Sequence, residues 1–167
     1  MIAVKISNKK DFMGRLLATD LFDSYYVEEA VIETFNTFHV DGHIHKDFYK
    51  NDETTTEADK TGDFSRWSDL RSLCFDLIKG KRTPLGFKFV FHPDEEVKKA
   101  IVAEADAGIR PEDVLLGINI RFNGEFIQIT TGTTFKIFSM DKTIEKAWDE
   151  YIPSFLSKSN ISTIDYD

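Results

Sequence analysis

Apolar and polar residues alternate from Ile2 through Val4 to Ile6, the signature of a half-buried strand. Ser7 or Asn8 can then cap a helix with Phe12, Leu16 and Leu17 on one side, because short polar side chains accept from the first free backbone N–H groups. Residues 25–49 are rich in Val, Ile, Thr, Phe and Tyr and are interrupted at Asp41-Gly42, which predicts a long hairpin turning there. Trp67, Leu70, Cys74 and Leu77 recur at helical spacing, with Leu73 and Ile78 widening the stripe and Gly80 placed for a C-terminal cap. Phe87, Phe89 and Phe91 share one face of a strand, and Pro93 with Asp94, Glu95 and Glu96 opens a helix through Val97, Ile101 and Ala105.

Asn123-Gly124 suits a two-residue hairpin turn, which would pair Ile120 with Ile127 and Ile118 with Ile129. A turn at Thr131-Gly132-Thr133 and a third strand over 134–138 would complete a meander over 114–138. The last helix buries Ile144, Ala147, Trp148 and Tyr151, and Pro153 should end or kink it. Strands joined by tight turns imply an α+β fold, with a largely antiparallel, curved sheet and helices packed on one face. The expected organisation is one domain over 1–157, with a flexible polar insertion at 50–63 and a frayed polar tail at 158–167.

Composition narrows the function classes. The 21 Lys and Arg against 29 Asp and Glu give a net charge of −8, which disfavours nucleic-acid and anionic-membrane partners. No apolar run approaches the ~18 residues of a membrane span, and Met1-Ile2-Ala3-Val4-Lys5 lacks the layout of a secretory signal. The single cysteine, Cys74, cannot form an internal disulfide and fits a reducing, cytoplasmic setting. Its place on an apolar helix face speaks for burial over nucleophilic use. GFKFVF, residues 86–91, partly matches the aromatic strand of RNA-recognition domains, but Leu85, Lys88 and His92 depart from it, and the phenylalanines read better as core.

Phe22 to Tyr49, FDSYYVEEAVIETFNTFHVDGHIHKDFY, and Trp67 to Phe91, WSDLRSLCFDLIKGKRTPLGFKFVF, resemble a family of uncharacterised proteins of Firmicute bacteria. The resemblance implies a small intracellular bacterial protein and transfers no catalytic residue.

Two clusters can carry chemistry. His39, His43 and His45 fall within seven positions, with Asp47 close behind. A two-residue Asp41-Gly42 turn sends His39 to the face opposite His43. A Val40-Asp41-Gly42 loop pairs the two and places all three histidines with Asp47, and the apolar pattern favours this second register. Three imidazoles with a vacant position would suit a divalent metal, although a plain solvated hairpin face explains the same residues. Lys79, Lys81 and Arg82 gather where a helix ends, either to complement its dipole or, with Thr83, to bind an anion such as a phosphate or carboxylate. The leading expectation is a non-catalytic binding module with an apolar cleft between sheet and helix, for a small ligand or a protein partner; the alternative is a metal-dependent hydrolase built on the histidine hairpin.

Overall fold

The computed structural model of the chain describes residues 1–49 and 62–166. Its elements run β1 (Ala3–Ile6), α1 (Lys9–Ala18), β2 (Tyr26–Glu33), β3 (Thr37–Asp41), α2 (Trp67–Ile78), β4 (Gly86–His92), α3 (Glu95–Ala105), β5 (Val114–Phe122), β6 (Ile127–Phe135), α4 (Thr143–Lys158) and β7 (Thr163–Tyr166). The seven strands form one sheet in the order β3-β2-β4-β5-β6-β1-β7, and every neighbouring pair is antiparallel. The α+β expectation holds. The expected insertion at 50–63 lies outside the described residues except for Gly62 and Asp63.

Alternation decides which face of the sheet is covered. Phe87, Phe89 and Phe91 of β4, Ile118 and Ile120 of β5 and Ile129 of β6 are buried on one side. They join Phe12, Trp67, Ile101 and Trp148 from the four helices in a single core. The intervening positions Lys88, Val90, Asn119 and Thr130 are only half-buried, so the second face meets solvent. Each tryptophan is completely buried and still satisfies its indole: Trp67 Nε1 donates to the Leu16 carbonyl at 2.8 Å and Trp148 Nε1 to that of Gly117 at 2.9 Å. Asn8 caps α1 by accepting from the Asp11 N–H at 3.0 Å.

Five expectations are corrected in detail. The first hairpin turns at Thr34-Phe35-Asn36, closed by the Thr34 N–H on the Asn36 carbonyl at 2.9 Å, and not at Asp41-Gly42. Gly42 instead passes against β2, where an added Cβ would stand 1.7 Å from the Val27 carbonyl oxygen, so a side chain cannot fit.

The second hairpin has a four-residue loop, Asn123 to Phe126, because the Asn123 side chain accepts from the Glu125 and Phe126 N–H groups at 2.9 and 3.0 Å. Ile120 therefore faces Ile129 and Phe122 faces Ile127, two positions out from the expected register. Thr131-Gly132-Thr133 is strand interior, not a turn, and β6 runs on to pair Phe135 with Val114. At the end of the chain, α4 continues through Pro153 to Lys158. Burial of Ile152 and Leu156, at ~1.5–3 kcal/mol each, offsets the ~3 kcal/mol cost of an interior proline. Beyond it the expected frayed tail contributes β7, which pairs with β1 from Ile6↔Thr163 to Ala3↔Tyr166.

Candidate functional site

The moved turn disperses the histidines. His39 sits on β3 opposite Val31, with Nε2 3.7 Å from Glu29 Oε1. His43 lies beyond the strand, where it bridges to Phe64; its ring stands 4.5 Å from the Phe64 ring and its Nδ1 2.5 Å from Asp41 Oδ1. Hydrogen bonds from the His43 backbone and ring hold the Asp41 carboxyl below its ordinary range. His45 is exposed, and Asp47 is exposed in the short 3-10 turn Lys46–Tyr49 that replaces the expected return strand. The register that would have paired His39 with His43 is therefore not adopted. Among the described residues no three His, Cys, Asp or Glu side chains converge as a metal would require.

The basic cluster fares differently, because it is set by the way α2 ends. The Lys79 N–H closes the last turn on the Phe75 carbonyl at 2.8 Å, and Gly80 follows with φ +139°, where an L side chain is strained. The chain then doubles back through Lys81, Arg82 and Thr83 towards β4. This reversal leaves a cleft of about 630 Å³ between the end of α2 and the β2–β3 turn. Phe35, Leu77, Ile78 and Leu85 supply apolar wall, and Lys79, Lys81, Arg82 and Thr83 line the same space. Lys79 is engaged by Asp76 at 2.9 Å, a pair exposed enough to contribute little. Neither Lys81 nor Arg82 has an acidic group within 4.0 Å among the described residues. The Thr34 hydroxyl, also on the cleft, is buried without a hydrogen-bond partner among the described residues. Two of the walls are costly to leave in water: Phe35 is 82% exposed and Leu85 70%.

Sequence reasoning found the cations of this cleft and missed its walls. Phe35 belongs to the Thr34-Phe35-Asn36 turn, which the pattern places at Asp41-Gly42, and Leu85 stands just before β4. The other missed group is His92, the last outward-facing residue of β4. A bulge at Val27/Glu28 swings the Glu28 carboxylate to 3.3 Å from His92 Nε2, and Phe64 packs edge-on to the imidazole at 5.1 Å. Burial pulls the His92 imidazole below its ordinary value, against the opposing pull of Glu28. Its only sequence signal was a histidine ending an alternating aromatic strand. Cys74 is buried as expected, and burial alone pushes its thiol up to about 12, so it is inert at neutral pH.

Among the described residues no helix is long and apolar enough to cross a membrane. A family model described as "Family of unknown function (DUF5721)" matches residues 15–163 of the chain. No curated protein and no solved structure matches.

Proposed function

We propose, for a chain that belongs to the DUF5721 family of unknown function, a role as a small-ligand-binding module whose ligand lies in the cleft beside the end of α2. One observation carries this reading: an apolar-walled cleft is lined by two cations that have no counter-ion among the described residues. Such a surface matches a small amphiphile with an aliphatic body and a carboxylate. The body would cover Phe35 and Leu85, releasing ~25 cal/mol for each Å² of apolar surface removed from water. The carboxylate would accept from the Arg82 guanidinium, whose fork suits two parallel hydrogen bonds, with Lys81 as a second point charge. The Thr34 and Thr83 hydroxyls are further polar groups that a ligand in the cleft could engage.

Calorimetric titration with decanoate and with decan-1-ol tests the reading. Decanoate is expected to bind at least tenfold more tightly than the alcohol, and Lys81→Ala with Arg82→Ala should erase that difference. Leu85→Ser should weaken both ligands. No saturable binding of decanoate, or equal binding by the double variant, would overturn the proposal.

A further inference from the structure

The solvent-facing side of the sheet contains a hollow of about 320 Å³ over β4, β5 and β6, remote in sequence from the cleft at the end of α2. Its floor is bare because Gly117 of β5 lies directly opposite Gly132 of β6. Glycine inside a strand weakens it, and two facing glycines do so twice over. Neither residue has a positive φ, so the backbone does not demand glycine. Packing does not demand it either: a Cβ on Gly132 would meet nothing within 4 Å among the described residues. One on Gly117 would make ordinary contacts, 3.5 Å from the Phe91 carbonyl oxygen and 3.8 Å from His92 Cδ2. The missing side chains serve neither turn nor core, and their absence keeps a flat surface of peptide planes open. Trp148 secures that surface from beneath through its 2.9 Å bond to the Gly117 carbonyl.

The groups around the floor have unused hydrogen-bonding capacity. Asn119, next on the outward row of β5, has its carboxamide oxygen buried without a partner among the described residues. His92 lines the hollow with a side chain only 8% exposed. The Glu28 carboxylate can only accept, so Nε2 carries the proton and Nδ1 presents a lone pair; no partner among the described residues reaches Nδ1. Val90 and Leu115 add apolar surface, Thr130 and Thr134 border the glycine pair, and among the described residues no Lys or Arg lines the space.

We infer that this hollow binds a flat heterocycle whose edge carries a hydrogen-bond donor beside an acceptor, as the amino edge of adenine does. The ring would lie on the Gly117–Gly132 floor. Asn119 would pair with that edge through its own acceptor and donor, the geometry by which a carboxamide reads adenine. His92 Nδ1 would accept from a second ligand N–H. With no cation among the described residues of the lining, the site suits the base or its nucleoside better than a phosphorylated form.

Titration of the intact protein with adenine, followed by ligand-observed NMR and calorimetry, tests the inference. Adenine should bind saturably, and 6-dimethylaminopurine, which has lost the amino donor, should bind at least tenfold more weakly. Gly132→Val should abolish binding while leaving the melting temperature unchanged or raised, because valine favours a strand and Gly132 opens onto free space. Gly132→Ala gives a milder loss and serves if the valine variant misfolds, and Asn119→Ala should remove the discrimination between the two purines. Decanoate should not displace adenine. Absence of saturable adenine binding, or full binding by Gly132→Val, would overturn the inference without touching the cleft beside α2.

Discussion

The two faces of the sheet are drawn from the same strands by alternate residues, and they obey different rules. On the helix side, Phe87, Phe89 and Phe91 stack along β4 with ring centroids 5.0 and 6.0 Å apart, and Ile120 meets Ile129 across the neighbouring pair. No side chain there is dispensable, since each one displaces water and fills volume. On the solvent side the neighbours are Glu29 with Lys88 at 3.4 Å, a carboxamide oxygen without a partner, and two facing glycines. Water tolerates such gaps. The covered face is thus specified by the need to fold, and irregularities on the open face need another explanation.

The largest test of this contrast compares adjacent residues of β4. Phe89→Ala should cost ~3–5 kcal/mol in urea unfolding, whereas Val90→Ala, one residue along and facing outward, should cost no more than ~1 kcal/mol. Equal losses would mean that the open face is packed by something else.

A smaller effect is expected from His92. In an unfolded chain an imidazole takes up its proton near pH ~6.5, and in the fold His92 does so only at lower pH. Between those values the unfolded state holds more protons, so stability should rise with pH through this window and fall on acidification. Glu28, Lys98 and His43 are the charged groups that act on it. His92→Gln should flatten the slope of unfolding free energy between pH 7.5 and pH 5.5, read by the same urea melts; an unchanged slope would assign the dependence to other groups. The smallest effect belongs to Lys88→Gln. Its pair with Glu29 is more than a third exposed on the lysine side, so the change should stay within ~1 kcal/mol and shrink further in salt.

What could be read from the chain alone follows the same division. The core faces were largely legible: Trp67, Cys74, Ile118, Ile120, Ile127, Ile129 and Trp148 are buried, but Leu70 and Leu77 are only half-buried and Leu73 is 49% exposed. The Asn123-Gly124 hairpin was misregistered by two residues, and an even slip leaves every side chain on its proper face, so the fold class survived the error. Glycines were the weak point. Gly42 and Gly132 both resembled turns, yet one answers to a passing carbonyl and the other faces open space, causes that only tertiary structure reveals. Of the two candidate clusters, the basic one is nearly continuous in sequence, so its residues line one cleft however the neighbouring turns fall. The histidines depended on one turn position, and Glu28 with His92 depended on a bulge that no local pattern announces.

The position of β1 has a consequence for how the molecule is made. β1 is synthesised before the other six strands of this sheet, but its two neighbours, β6 and β7, follow only after everything from α1 to β5. Val4 and Ile6 must therefore wait, apolar and unpaired, while most of the chain is produced. A nascent chain halted after β5 could assemble β3, β2, β4 and β5 but would display a raw strand edge where β6 belongs. Interrupted translation should thus yield an aggregation-prone product, and release of the last helix and strand is the step that makes the sheet whole.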